Sequence, residues 1–430
     1  MNHSFELTLK KRYLFLTIFC LINFITGGLY VWSVFAGPLA AKLAALGVDV
    51  SSGAMGPVFG VASGLTPVLM IAGGVINDRM GPRAVIATGG ALICAGYLAT
   101  VTVTELSWLY FTYGILVGAG TGLVNGCTIN TAVKFFPDRR GFAGGIVTAS
   151  LGFGAVVLPL VAKQLIDVFG IDGAFTAFAV ASGIVIVPLA LITQPCPAGF
   201  AAAMLEKVAP GRVTQPIKPS LNWLEMIQTR TFYPLMLLFV GCATMGLMML
   251  SSISGVAQSQ VGVSAGAAAF AVSVISLANT GGRFLSGVLS DRIGRVPALL
   301  LALTTAIVGL GLLTMAGKGD VELFYAGIVC IGLCFGASIG IYPGLVADEY
   351  GPKNNSVNFS VMMLSYSIGG LAGPLLIGWA NTGGDFSRAY MVCAAAAVFG
   401  ILCGLVYLQM KKAETRKAFT HGMCCSQMNS

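Results

Sequence analysis

Residues 74–83 read GVINDRMGPR, and residues 287–295 read GVLSDRIGR. Each stretch joins two long apolar runs. Each keeps a glycine, an Asp-Arg pair and a closing arginine: Gly74, Asp78, Arg79 and Arg83 in the first, Gly287, Asp291, Arg292 and Arg295 in the second. Asp78 and Asp291 stand close to half of the 430-residue chain apart. A second echo pairs PDRRG at 137–141 with GPKNN at 351–355, at a similar offset. Two echoes at one period mark a duplicated chain.

Outward from these corners, apolar runs bounded by Gly, Pro or charge fall at about 13–36, 53–77, 83–103, 107–134, 141–166 and 172–193 (α1–α6). A second set falls at about 231–257, 264–290, 296–317, 322–348, 355–380 and 388–410 (α7–α12). Each is long enough for a bilayer span, which needs roughly 20 apolar residues. Between the sets lies 194–230, with Pro195, Pro197, Pro210, Pro216 and Pro219, expected to be a cytoplasmic linker. The sequence thus predicts an all-α membrane protein of twelve transmembrane helices in two pseudo-symmetric six-helix bundles. These are 1–193 and 231–410, with the linker between them and a cytoplasmic tail at 411–430. Parallel repeats of this kind build transporters whose site lies near midplane between the halves.

Composition agrees. Hydrophobic residues make up 56% of the chain, charged residues only 9%, and the mean hydropathy is +0.87. A soluble domain carries about a quarter charged residues, so the lipid bilayer is the expected solvent. Lys10, Lys11 and Arg12 precede α1, but the apolar run after them is too long for a signal-peptide core, so α1 is expected to be retained. The net charge of +8 is topological and predicts no nucleic-acid partner. All but five of the 24 Lys and Arg residues fall on one side of the drawn spans; Lys42, Lys163, Lys318 and Arg388 fall on the other, and Arg283 lies inside a span. That asymmetry predicts a multi-pass protein of the cell membrane with both termini in the cytoplasm. The eleven Cys are expected to pack as small hydrophobes. Cys330 and Cys334 are one helical turn apart, and Cys424 and Cys425 in the tail are candidates for acylation. His3 and His421 are in the tails, and no metal or cofactor is expected.

The repeated corners are candidate conformational latches. Gly74 and Gly287 permit close helix approach, Asp78 and Asp291 can accept from backbone N–H groups at a neighbouring helix start, and the arginines pair across the corner. Such a cluster holds one conformation and releases in another.

At these residues the chain strongly resembles the major facilitator superfamily, whose loop motif G-x-x-x-D-R-x-G-R is matched twice. A closer resemblance, to the oxalate/formate antiporter branch, rests on GGLYVWSVFAGPL (27–39), KFFPDRRGFAGG (134–145) and NTGGRFLSGVLSDRIGR (279–295). The resemblance implies a rocker-switch carrier.

The informative charge is Arg283. It stands eight residues before Asp291, hence about 12 Å along α8 from the corner at the usual helical rise. Placing an arginine at mid-span costs about 2.5–3.5 kcal/mol, and a counter-charge is expected. All sixteen Asp and Glu residues fall in loops, tails or helix ends. The substrate is then the natural counter-ion, and the guanidinium's planar fork matches a carboxylate. The branch resemblance likewise implies an anion-binding arginine here. Helical spacing sets Asn279 and Ser276 on the face of Arg283. Asn23, Thr26 and Tyr30 share a face of α1, and Thr121, Asn125 and Thr128 share one of α4. Tyr342 and Tyr366 are further cavity candidates, and the resemblance implies a substrate-contacting tyrosine at Tyr30. Met245, Met248 and Met249 are expected to pack.

The chain also departs from the oxalate carriers. They place a lysine on α11, eight residues after an asparagine that here is Asn358; this chain has Tyr366 there. Leu29 replaces a glutamine, and Asn125, Leu151 and Ile339 replace tyrosines. A dicarboxylate wants two cations, and one arginine suits a monocarboxylate such as lactate, pyruvate or formate. The expected function is therefore secondary transport of small organic anions by a monomer. A co-transported proton and an exchanged anion both remain open as coupling partners. An oxalate/formate exchanger is the alternative within transporters. A membrane anion sensor would carry an added signalling domain, and an intramembrane enzyme would need a nucleophile and base inside the spans.

Overall fold

The computed structural model describes residues 2–48, 55–208, 220–380 and 386–427. Pro210, Arg212, Pro216, Lys218 and Pro219 of the expected linker lie outside the described residues, as do the side chains of His3, Lys207, Lys417, His421, Cys424 and Cys425. Every described regular element is helical. The first span, α1, runs as Asn2–Thr26, a 3₁₀ turn at Gly27–Val31, and Trp32–Ala45. Then follow α2 (Gly56–Met80), α3 (Pro82–Val101) and α4 (Leu106–Phe135). A single 53-residue helix, Arg140–Ile192, supplies both α5 and α6. It bends at Gly170, whose φ of 72° and ψ of 178° suit a residue without Cβ. The second half comprises α7 (Phe232–Val261), α8 (Ala265–Ile293), α9 (Arg295–Met315), α10 (Val321–Tyr350), α11 (Asn355–Met362 and Leu364–Ala380) and α12 (Ser387–Gln427).

Ten helices among the described residues are long and apolar enough to cross a membrane. Division of the longest at Gly170, together with the interrupted α11, brings the spans to the expected twelve. The ends differ from expectation in three places. α1 does not stop near residue 36: its glycine pair turns tightly instead of ending the helix. A Cβ on Gly27 would stand 2.7 Å from the Leu151 carbonyl, and one on Gly28 2.9 Å from the Tyr97 hydroxyl. α12 continues past the span into a stretch rich in helix-forming Lys, Ala and Glu, with Lys411 paired to the buried Glu349. The expected linker is partly helical, at Phe200–Val208 and Trp223–Gln228. The second helix starts in a capping box: Asn222 Oδ1 accepts from the Glu225 N–H at 3.0 Å, and the Glu225 carboxylate accepts from the Asn222 N–H at 2.7 Å.

In lipid, helices associate through close packing rather than exclusion of water, and small residues mark the contacts. α8 shows this on two sides. On one, Gly336 and Gly340 of α10 lie so close that added Cβ atoms would collide with the carbonyls of Asn279 and Arg283. On the other, a Cβ on Gly287 would collide with the Gly141 carbonyl of α5, and one on Gly145 would stand 2.5 Å from the Arg283 carbonyl. The two halves thus meet along α5 and α8. They also meet where α2 packs on Asn355–Met362 of α11. Both seams lie at the end of the bundle that carries the basic corners.

Met245, Met248 and Met249 of α7 are packing residues, all three fully buried. Cys334 turns toward Cys242 of α7 and lies within hydrogen-bond reach of it, rather than of Cys330. Gly336→Val should destabilise the protein by about 1–3 kcal/mol through overpacking. A lowered melting temperature in detergent would show it. Gly311→Val, where an added Cβ meets nothing within 4 Å, should leave that temperature unchanged.

Candidate functional site

Asp291 closes the basic end. Helix α5 begins at Arg140 with Arg139 at its N-cap, and Arg139 supplies no side-chain cap. The cap comes from the other half: the Asp291 carboxylate accepts from the N–H groups of Gly141 at 2.9 Å and Phe142 at 2.8 Å. A carboxylate at a helix N-terminus meets both free N–H groups and the positive end of the helix dipole. Arg295 holds that carboxylate at 2.6 Å, donates to the Ser290 hydroxyl at 2.7 Å, and also reaches Asp348 at 2.8 Å. Asp348 in turn binds Arg140 at 2.6 Å, so one carboxylate clamps both halves.

The first corner does the same more weakly. Asn354, at the N-cap of α11, offers no side-chain cap, and Asp78 accepts from the Val357 N–H at 3.3 Å. Gly74 lies against this helix start, 2.9 Å from its nearest atom if it carried a Cβ. Asp78 pairs with Lys134 at 2.5 Å rather than with an arginine of its own motif. Asn77 donates to the Ser356 hydroxyl at 2.9 Å, and Asn355 donates to Asn130 Oδ1 at 2.7 Å. Arg83 turns away from the seam and donates to the Thr193 carbonyl at the end of α6. Arg79 and Arg292 are exposed and make no hydrogen bond or ion pair among the described residues. A cavity of about 510 Å³ adjoins this corner, lined by Asp78, Arg79, Lys134, Lys353 and the Pro195–Ala201 turn, and it does not include Arg283. Lys134, Arg140 and Asp348 were not singled out as latch residues. Lys134 and Arg140 stand in the KFFPDRRG stretch that carried the resemblance, whereas nothing local marks Asp348.

Arg283 lies deeper, between the halves. Its Nε donates to Asn279 Oδ1 at 2.9 Å, and its Nη1 donates to the Thr148 carbonyl of α5 at 2.9 Å. Gly152 of α5 lies beside the guanidinium and lets Thr280 of α8 approach, since a Cβ there would stand 2.6 Å from the Thr280 hydroxyl. Tyr30 and Tyr366 are close enough to act on its charge, and it on theirs. The group thus faces the seam between halves rather than lipid. Among the described residues no carboxylate pairs with it, and Nη2 and one N–H of Nη1 have no protein partner. Tyr30 keeps 36% of its surface exposed beside Phe59, and Tyr366 stacks on Phe335 with ring centres 6.1 Å apart. The break in α11 falls just before Tyr366, whose N–H returns to the Met363 carbonyl at 3.0 Å.

Other candidates fare differently. Asn125 is half-buried on α4, and its Oδ1 finds no partner, nor does the Thr121 hydroxyl. Asn23 donates to Thr128 at 2.5 Å, and Thr26 to the Ile22 carbonyl, so both serve packing between and within helices. Ser276 likewise bonds its own helix at the Val272 carbonyl. Tyr342 is a correction. It is fully buried, stacked on Phe239 with ring centres 4.1 Å apart, and its hydroxyl donates to the Leu235 carbonyl at 2.6 Å. The ring is spent in the α7–α10 contact and faces no cavity. Leu29, Leu151 and Ile339 are buried.

The sequence model of the Major Facilitator Superfamily matches residues 13–315 and again 236–421. The chain belongs to the Major Facilitator Superfamily. It is 29% identical over 390 residues to the oxalate:formate antiporter of Oxalobacter formigenes, covering 90% of this chain and 89% of that one. Human monocarboxylate transporter 11 is 27% identical over 353 residues, covering 79% and 71%. The proton:xylose symporter XylE shares the fold, with a TM-score of 0.70 at 13% identity over 94% of this chain and 96% of its own. As a member of this superfamily the protein is a multi-pass membrane transporter and not an enzyme, and the corners described above are its repeated loop motif. Those corners are unequal, because Asp291 makes two backbone contacts and Asp78 one longer one. Asp291→Asn should therefore open the basic end more than Asp78→Asn does. Hydrogen bonds to a charged group contribute about 1.5–3 kcal/mol, so a roughly tenfold shift in the open fraction is expected. Spin labels at the exposed positions 79 and 292, read by double electron–electron resonance, would measure it.

Proposed function

We propose that this transporter carries small organic monocarboxylates by rocker-switch alternating access, with the substrate carboxylate paired to Arg283. One observation carries the proposal: a guanidinium between the halves, without a carboxylate partner among the described residues, keeps one face of its fork free. A carboxylate would take Nη2 and the open N–H of Nη1 in the two-pronged geometry that suits arginine. Asn279 holds Nε and so fixes the plane of the fork. Tyr30 and Tyr366 stand near enough to bound the anion. The names of two relatives, an oxalate:formate antiporter and a monocarboxylate transporter, support an organic anion. Charge count separates them. At the place where a second cation would serve a dicarboxylate, this chain has Tyr366.

The protein then sits in the cell membrane with its basic end and both termini in the cytoplasm, and the closed corners belong to an outward-open state of a monomer. Residues 1–193 and 231–410 rock against each other about the site, joined by 194–230. Opening inward requires Asp291 to leave the start of α5 and Asp78 the start of α11. A proton or a second anion serves as the coupled species.

Uptake of labelled lactate, pyruvate, formate and oxalate into proteoliposomes, with and without a pH gradient, tests the proposal. Monocarboxylate uptake should be at least about a hundredfold lower in Arg283→Gln, which loses both charge and fork, while the folded yield stays unchanged. Tyr366→Lys should raise competition by oxalate against labelled lactate. Oxalate as the best competitor of the unaltered protein would replace the monocarboxylate assignment with oxalate exchange.

A further inference from the structure

We infer that the Thr121–Asn125 face of α4 is a second recognition point of the same site between the halves, reading an oxygen on the carbon next to the substrate's carboxylate. The inference rests on the proposal that Arg283 binds that carboxylate.

Packing fixes where this face points. Gly122 and Gly126 lie against Thr66 and Met70 of α2, and Gly120 lies against Gly89 and Ile93 of α3. Thr128 takes the hydrogen bond from Asn23 of α1. Thr121 and Asn125, two turns and one turn before Thr128, therefore line the side toward α1 and the seam, away from α3. Their height also follows. α1 and α4 run in opposite directions and are joined at Asn23–Thr128, so Asn125 is level with Thr26 and Gly27. Gly27 sits on α5 at Leu151 and Ala155, and the Arg283 guanidinium sits on α5 at Thr148 and Gly152. The α4 amide and the α8 guanidinium thus stand at one height in opposite halves.

Their chemistry is complementary and unused. Thr121 is 2% exposed, yet its hydroxyl has no hydrogen-bond partner; Asn125 Oδ1 has none either, and its side chain donates to nothing among the described residues. Buried polar groups are nearly always bonded. A pair of orphans on one face of a helix that borders the seam points to a ligand that completes them. With the carboxylate on Arg283, a 2-hydroxyl or 2-oxo oxygen accepts from Asn125 Nδ2, and a 2-hydroxyl can also donate to Asn125 Oδ1 or the Thr121 oxygen. An unsubstituted acid offers neither bond and leaves both groups unpaired, which is the usual way a polar site rejects an analogue. The substrate class narrows to short 2-hydroxy and 2-oxo monocarboxylates, and formate, which has no second carbon, falls outside it.

Lactate, pyruvate and propionate have equal charge and chain length and differ only at this oxygen. Their apparent affinities, measured by competition against labelled lactate in proteoliposomes of the full-length protein, test the inference. Lactate and pyruvate should compete at least about tenfold better than propionate. Asn125→Leu should bring the three within about twofold of one another with propionate unchanged, and Thr121→Val should lower lactate affinity more than pyruvate affinity. Propionate matching lactate in the unaltered protein would overturn the inference without any variant, even if Asn125→Leu fails to fold. So would a tenfold preference that survives Asn125→Leu. A protein that binds and moves none of the three loses the Arg283 carboxylate proposal, and this inference with it.

Discussion

Helices α5 and α11 begin without a side-chain cap of their own, and each takes one from the opposite half. Asp291 binds the first N–H groups of α5, and Asp78 the Val357 N–H of α11. A buried helix start with unsatisfied N–H groups is costly, so this exchange stabilises the contact between the halves seen here. The same contacts require glycine on both sides of the seam, because a side chain at Gly141, Gly287 or Gly74 would hold the helix starts apart. Charge follows from that approach. Arg295 holds Asp348 within the second half, and Arg140 reaches the same carboxylate across the seam where α5 meets α8.

The site inherits its geometry from this seam. α8 carries Arg283 along the line where it meets α5, and Gly145 and Gly152 let the backbone at Arg283 and the side chain of Thr280 come close. The Arg283–Thr148 hydrogen bond crosses between halves, so the group proposed to bind the carboxylate is itself part of the contact between them. Under that proposal an anion at Nη1 and Nη2 would meet residues of both bundles at once. Loading and rocking would then act on one set of bonds, the physical requirement for a carrier whose cargo biases its conformation.

Much of this was legible in the chain. Repetition of the Asp-Arg corner gave the duplication, run length gave the spans, and the absence of any mid-span acid made Arg283 stand out. Tyr342 shows the limit. Its position on α10 suits a cavity residue as well as a core residue, and only packing against Phe239 and Leu235 decides between them. Asn23 and Asn125 are both asparagines on candidate cavity faces. One is bonded to Thr128 and the other is left unpaired, a difference set by which helix happens to lie opposite.

What the sequence determined by itself is local and periodic: which stretches are apolar enough for lipid, where they turn, that the chain is doubled, and that one cation lacks a counter-charge. Each is a property of residue type and spacing. Tertiary structure decided the partners. That Asp291 caps α5, that Lys134 rather than Arg83 answers Asp78, and that a backbone carbonyl at Thr148 receives Arg283 all depend on helices far apart in sequence arriving at the same place. A carbonyl is borne by every residue and an N–H by all but proline, so no pattern of side chains could have announced them.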